Sequence, residues 1–469
     1  MLISKYSNPE FDPYESDSLV EPGDDGPWEA PTASGPLAAT LSLPGSKSLT
    51  NRELVLSAIS DGASTLRAPL HSRDSTLMVQ ALRGLGTIVE EVGAGPYGPD
   101  LLITPGELTG GTSIDCGLAG TVMRFIPPLA ALALGPVSFD GDEAARRRPM
   151  RTTVDSLRHL GIDVNDDGRG TLPFSLYGTG EVEGGEIAID ASASSQFVSG
   201  LLLVAARFRR GLTLVHTGDT LPSMPHIEMT IATLRERGVE VESPEPGRWV
   251  VAPGPIRARS VDIEPDLSNA APFLVAALVA GGTVTIEGWP DATTQVGAHL
   301  EQILPRFGAK VTRSGGALTV DGGAGIIGGA QVPGIELDLS EGGELGPALV
   351  ALAALADGPS RVTGIGHLRG HETDRLAALA AEINGLGGAV TELPDGLLIE
   401  PRPLHGGLWH SYEDHRMATA GAIIGLGVQG VLIDDIATTA KTLPQFAELW
   451  TGPLLGRAPA VASDPLGLL

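Results

Sequence analysis

The sequence predicts an α/β chain of two lobes, an inside-out α/β barrel with helices inside and sheets outside. Two observations carry that expectation. A polar, Gly- or Ser-rich turn followed by a small-apolar helix occurs six times. Its anchors, Gly45, Gly117, Ser194, Ser268, Gly343 and Asp414, are spaced by 71 to 77 residues. Such regularity marks an internal repeat. The helices after these turns, such as Phe197 to Ala206, Phe273 to Ala280 and Leu345 to Ala356, are apolar nearly all round. A helix of that kind is buried on every side. An ordinary doubly wound sheet is the alternative that this pattern alone leaves open.

Residues 1–35 are rich in Pro, Gly, Ser and acids and lack periodicity. They read as a flexible acidic extension, with Trp28 a candidate anchor. Ala39 to Leu43 alternates like a strand. Leu43-Pro44-Gly45-Ser46-Lys47-Ser48 then opens the first helix, Leu54 to Ile59. It is not a P-loop, because Ser46 stands where that motif needs Gly. Val154 to Leu160 precedes Gly161-Ile162-Asp163-Val164, and Met229 to Arg237 precedes Gly238-Val239-Glu240-Val241. Each is an amphipathic helix, a Gly stop and an alternating strand. The unit is therefore β-α-β-α-β-β. Residues 47–258 form a lobe of repeats 1–3; residues 36–46 with 259–455 form a lobe of repeats 4–6, and 456–469 a tail. Ala252-Pro253-Gly254-Pro255 marks the break. The strand before Gly45 belongs with the C-terminal lobe, which leaves two crossovers, near residues 45 and 260.

The chain has 469 residues, 42% hydrophobic and only 4% aromatic, enough for large cores of small aliphatic side chains. A single cysteine, Cys116, excludes an internal disulfide and any Cys-based metal cluster. No apolar run reaches membrane-spanning length, and the N-terminus does not read as a targeting segment. A cytoplasmic monomer is expected. The net charge of −26 argues against nucleic acids and anionic membranes as partners. It leaves room for a small anionic substrate, provided cations gather locally.

They do so at the repeated turns. Lys47, Ser48 and Arg52 stand at the first, Thr121 and Arg124 at the second, with Arg146-Arg147-Arg148 soon after. Ser194-Ser195-Gln196 at the third suits a phosphate and a polyol. Ser223, Glu344, His371, Glu372, Arg375, Arg416 and Lys441 follow. Helix starts favour anions through free N–H groups and the helix dipole. Taken singly, each has a plainer reading: a cap for Ser194 or Glu344, a solvated loop for the Arg triplet, a surface pair for Glu372 and Arg375. Their recurrence at one phase of the repeat points to one cleft. There Glu344 and Glu372 are acid–base candidates among Lys47, Arg124, Arg148, Arg375, Arg416 and Lys441.

From Ala38 to Leu449 the chain resembles the 5-enolpyruvylshikimate-3-phosphate synthase family. The motifs are Leu43-Pro44-Gly45-Ser46-Lys47-Ser48 with Asn51-Arg52, Ala119-Gly120-Thr121 with Arg124, Arg148-Pro149, Ser194-Ser195-Gln196-Phe197, Glu372-Thr373-Asp374-Arg375, Asp414-His415-Arg416-Met417 and Lys441-Thr442. The resemblance implies two lobes that close over shikimate 3-phosphate and phosphoenolpyruvate, with no metal or organic cofactor. It places Lys47, Gly120, Arg124, Arg148, Arg375, Arg416 and Lys441 at phosphoenolpyruvate. It places Lys47, Ser48, Arg52, Thr121, Ser194, Ser195, Gln196, Ser223, Glu344 and His371 at shikimate 3-phosphate. Glu344 is implied to take the 5-hydroxyl proton, and Glu372, with Lys47, to serve the phosphoenolpyruvate methylene.

The chain departs from the commonest bacterial pattern at Leu118 for Asn, His226 for Tyr, Glu344 for Asp, His367 for Asn and His371 for Lys. The last exchange is expected to make binding pH-dependent, since His titrates near neutrality. Two rivals remain: the sister transferase acting on UDP-N-acetylglucosamine, and a non-catalytic anion-binding repeat protein. The first uses a Lys-Asn pair where Lys47-Ser48 stands here. The second has no need of two acids among the cations.

Overall fold

A computed structural model describes residues 26–457; residues 1–25 and 458–469 of the expected extension and tail lie outside it. The second repeat shows how one unit is made. Strand Thr112–Asp115 leads into helix Gly120–Ala130 and returns as the parallel strand Leu134–Asp140. Helix Arg151–His159 follows, then the antiparallel strands Asp163–Asn165 and Phe174–Thr179. In space the fourth strand lies between the second and third. Five four-stranded sheets have this order.

Burial explains the layering. Strands such as Leu37–Leu41 alternate between buried and exposed residues, so each sheet has one face to the core and one to water. Every residue of helices Gly120–Ala130 and Leu267–Ala280 is buried. The helices are thus inside and the sheets outside, as the all-round apolar pattern predicts. Two separate apolar cores result. One gathers residues from Leu54 to Ile256. The other takes Ala30 to Leu43 together with Leu267 to Leu454.

The lobes exchange strands. Leu37–Leu41 pairs in parallel with Gly282–Glu287 of the C-terminal lobe, as expected. Ser260–Asp262 pairs in parallel with Ser64–Arg67 of the N-terminal lobe. The second crossover therefore follows residue 262, and 260–262 leaves the lobe to which the sequence reading gave it. A short hydrophilic strand carries no mark of the sheet it will join. At the crossovers the two connections run side by side. Ser46 N–H donates to the Glu264 carbonyl at 2.7 Å and Asp266 N–H to the Pro44 carbonyl at 2.9 Å. Gly45 is required here, because a Cβ would lie 2.3 Å from the Ala68 carbonyl oxygen.

The sixth repeat is not like the others. Among the described residues it has the parallel strands Gly407–Trp409 and Val431–Ile433 and no hairpin of its own. Trp28–Glu29 takes the free edge in antiparallel fashion. Ala30 then packs against Gly425, where an added Cβ would come within 2.3 Å of the Ala30 Cβ. Residues 26–35 are thus part of the C-terminal lobe rather than of a loose extension.

The N-terminal lobe holds one deeply buried ion pair. Arg237 donates to Glu53 Oε2 at 2.9 and 2.6 Å, to Ser57 Oγ at 2.8 Å and to the Arg257 carbonyl at 3.0 Å. Neither partner is more than 2% exposed. Burial pushes the Glu53 carboxyl up, and Arg237 counters it. Removing the cation leaves a stranded buried carboxylate. Arg237→Met should therefore cost roughly 3–5 kcal/mol in urea unfolding followed by circular dichroism.

Candidate active site

Five of the six repeated helix starts line one cavity between the lobes. Ser46 caps the helix Lys47–Ala58 by accepting from Leu49 N–H at 3.4 Å, which brings Lys47 and Ser48 to the cavity wall. Gly120 and Thr121 open the second helix. A Cβ at Gly120 would stand 3.1 Å from an Arg148 terminal nitrogen and 3.0 Å from Gln196 Oε1, so the bare backbone lets these groups approach. Ser194, Ser195 and Gln196 lead into the third helix. Glu344 precedes helix Gly346–Leu355, and His415 and Arg416 open helix His415–Gly427. The fourth start is the exception. Asp266 closes it by accepting from Ser268 and Asn269 N–H, and also receives Lys47 N–H at 3.0 Å.

Arg124, Arg148, Ser223, His371, Glu372 and Arg375 complete the expected lining. Five Lys and Arg side chains and two carboxylates face this space. In a chain of net charge −26, that is the local concentration of cations an anion site needs.

The charges form one connected network. Lys441 Nζ lies 2.8 Å from Glu372 Oε1 and 3.2 Å from Asp74 Oδ2. Lys47 Nζ is 3.5 Å from the same Asp74 oxygen. Glu372 Oε2 receives Arg375 at 2.9 Å, and Arg375 is clamped by Asp414 at 2.7 and 3.1 Å. Arg416 donates to Ser268 Oγ at 3.1 Å and stands 3.4 Å from Glu344 Oε2.

Burial would raise the Glu372 carboxyl, but Lys441, Arg375 and Arg148 outweigh it and hold the group well below the usual range. Glu344 is likewise held down against burial, by His226, Arg416 and Lys47. Burial and Lys441 lower the Lys47 ammonium, with Asp74 and Glu372 opposing. Lys441 goes the other way: Asp74 and Glu372 overcome its burial and raise it.

Two arginines keep unused capacity. Arg124 and Arg148 are 2% and 7% exposed, and the Nε of each is buried without an acceptor. Burial, then the charge of Arg148, lowers the Arg124 guanidinium well below its ordinary value. An anion between the two would relieve both the repulsion and the missing hydrogen bonds.

Three expectations change. Arg52 is 1% exposed and does not line the cavity. Its guanidinium donates to Thr230 Oγ1 at 2.7 Å and to the carbonyls of Ser48 and His226 at 2.9 and 2.8 Å, bracing the wall from behind. Lys441 also sits behind the lining, with its ammonium committed to two carboxylates. His371 lines the cavity, but burial and the nearby Arg375 hold its imidazole well below the ordinary range. It is neutral at neutral pH and supplies neither a cation nor a titration there.

The sequence reading missed Asp74. This buried carboxylate from helix Arg73–Gly84 joins Lys47 to Lys441 across the lobes. Its only trace was an acid in the first turn of an unremarkable helix. Ser223 carries a further sign. It adopts φ +56° and donates its N–H to the Ser340 carbonyl of the other lobe at 3.0 Å. Left-handed backbone at a non-Gly residue is strain of the kind that collects at functional sites.

Comparison with known proteins agrees with this geometry. The family model described as EPSP synthase (3-phosphoshikimate 1-carboxyvinyltransferase) matches residues 31–450. A 3-phosphoshikimate 1-carboxyvinyltransferase of Kocuria rhizophila is 57% identical over 430 residues, covering 90% of this chain and 95% of that one. Among solved structures, EPSP synthase from Acinetobacter baumannii superposes with a TM-score of 0.73 at 26% identity, over 90% of this chain and 98% of its own. The enolpyruvyl transferase NikO from Streptomyces tendae shares the fold, with a TM-score of 0.69 at 16% identity over 89% and 95%. The chain belongs to the EPSP synthase (3-phosphoshikimate 1-carboxyvinyltransferase) family.

Proposed function

We propose that this cavity runs the family reaction with Glu344 as base and Glu372 as acid. The enzyme transfers the enolpyruvyl group of phosphoenolpyruvate to shikimate 3-phosphate, a step of the shikimate pathway to aromatic amino acids. The observation that carries the residue roles is the pair of carboxylates set among cations in one cavity lined from both lobes.

Phosphoenolpyruvate lies against Arg124, Arg148, Arg375 and Arg416, with Gly120 giving close backbone approach and Lys441 acting from behind. Shikimate 3-phosphate takes Ser48, Thr121, Ser194, Ser195, Gln196 and Ser223, with His371 at its edge and Arg52 supporting the wall. Lys47 stands between the two ligands. The 5-hydroxyl oxygen attacks C2 of phosphoenolpyruvate while its proton passes to Glu344. C3 takes a proton from Glu372, and a tetrahedral intermediate forms. C3 then returns a proton to Glu372, the C2–O bond to phosphate breaks, and phosphate leaves.

The electrostatics fit these roles. Glu344 is held ionised, as a base must be. Glu372 is ionised in the free enzyme because cations surround it. The phosphate and carboxylate of phosphoenolpyruvate offset those cations, so Glu372 gains proton affinity only once that ligand is bound. The acid is armed by its own substrate.

We also take the enzyme to be a cytoplasmic monomer. Cys116 is fully buried, so its thiol has no access to a partner. Among the described residues no helix is long and apolar enough to cross a membrane.

The reading is tested by phosphate release from phosphoenolpyruvate. Shikimate 3-phosphate should support it and UDP-N-acetylglucosamine should not; the reverse outcome would reject the assignment. Glu344→Ala should lower kcat by roughly a hundred-fold, the typical worth of a positioned base. Unchanged kcat would remove Glu344 from that role.

His371→Lys should restore a fixed cation and lower KM for shikimate 3-phosphate by about two- to five-fold, in line with a partly exposed ion pair. The neutral imidazole loses no charge as pH rises from 6.5 to 8. His371→Gln should therefore leave the pH dependence of that KM unchanged over this interval. A changed profile would show that the imidazole titrates there after all.

A further inference from the structure

The assigned roles leave one neighbour of Glu344 without a task. His226 belongs to helix Met224–Glu236 of the N-terminal lobe, whereas Glu344 belongs to the C-terminal lobe. Both line the cavity. His226 Nε2 stands 3.6 Å from Glu344 Oε2, with the side chains 18% and 22% exposed. The two oxygens of Glu344 are not equivalent. Oε2 faces His226 and Arg416, while Oε1 has no hydrogen-bond partner among the described residues.

The His226 main chain is fixed from behind. The His226 carbonyl accepts from Arg52 at 2.8 Å and from Thr230 Oγ1 at 3.0 Å. The His226 N–H donates to the Ser223 carbonyl at 3.0 Å, and Ser223 in turn is tied to Ser340 of the other lobe. His226 therefore reaches Glu344 from a framework built in its own lobe, and one bond, Ser223 to Ser340, ties that framework to the other lobe.

We propose that His226 is a positioning residue which anchors Glu344 Oε2 across the lobe boundary and leaves Oε1 aimed at the acceptor hydroxyl. The inference rests on Glu344 being the base. It makes that base competent only in the assembled cleft. Other charged or titratable groups facing the pair are Arg416 and Lys47 from their helix starts and His367 beside His226, with Arg375 and Arg52 farther back. None of these replaces a donor from the opposite lobe at Oε2. Losing His226 removes an interaction that favours the ionised carboxylate, so the proton affinity of Glu344 rises and the acid limb of kcat moves to higher pH.

His226→Phe, checked for folding by circular dichroism, should lower kcat by about five-fold, as for a lost partly exposed electrostatic contact at 3.6 Å. KM for phosphoenolpyruvate should stay within about two-fold, because that ligand does not use this pair. His226→Gln, which keeps a donor, should recover most of kcat. Glu344→Asp withdraws the carboxylate by about 1.5 Å, one carbon–carbon bond. In that background His226→Phe should change kcat by less than about two-fold.

The proposal is overturned if His226→Phe leaves kcat and its acid limb in place, if Gln recovers nothing, or if the two substitutions multiply independently. Should the Phe variant not fold, His226→Asn, too short to reach, takes its place with the same outcomes. Failure of the base reading looks different: Glu344→Gln would then turn over normally. An inactive Glu344→Gln beside a fully active His226→Phe would keep the base and reject the anchor.

Discussion

Everything at the centre of this enzyme depends on holding buried charges in balance. Cations packed in a buried cleft repel one another, and each loses hydration. The structure answers with shared carboxylates. Asp74 serves two ammonium groups, Asp414 clamps Arg375, and Glu372 joins Lys441 to Arg375. Among the arginines of the described residues, Arg124 and Arg148 keep a buried Nε without an acceptor. The network is thus compensated where it must be rigid and left short of acceptors where an anion can supply them. Preorganised donors of this kind do their work without rearrangement at the moment of reaction.

The same compensation binds the lobes. Asp74 and Lys441 come from different lobes, as do Ser223 and Ser340, and His226 and Glu344. The electrostatics of the cleft are therefore completed by groups from both lobes. The exchanged strands Leu37–Leu41 and Ser260–Asp262 set the two connections side by side at Gly45 and Pro265.

Much of this was legible before any coordinates. The six turns and their all-apolar helices gave the layering, because burial on every side writes a composition that local sequence preserves. Lys47, Arg124, Glu344 and Arg416 were visible as polar residues at one phase of a repeat. Asp74 was not, since its meaning comes from Lys441, which is distant in sequence. Arg52 shows the converse, a side chain whose partners sequence does not reveal. A cation at a helix start reads as a ligand group, and its bonds to Thr230 and the His226 carbonyl are set by residues distant in sequence. His371 looked like a pH sensor, and only its surroundings reveal that burial and Arg375 have moved its titration away. The strand at 260–262 was too short and polar to declare its sheet.

The incomplete sixth repeat has a consequence for how the chain comes off the ribosome. The N-terminal lobe is finished once residue 262 has been made, since its last strand arrives last. The C-terminal lobe needs Leu37–Leu41 and Trp28–Glu29, which are made first and whose partners come hundreds of residues later. At about 5–20 residues per second, Trp28 waits tens of seconds for Ile433. Trp28–Glu29 thus finds its partner only after the rest of the lobe's described strands have been made.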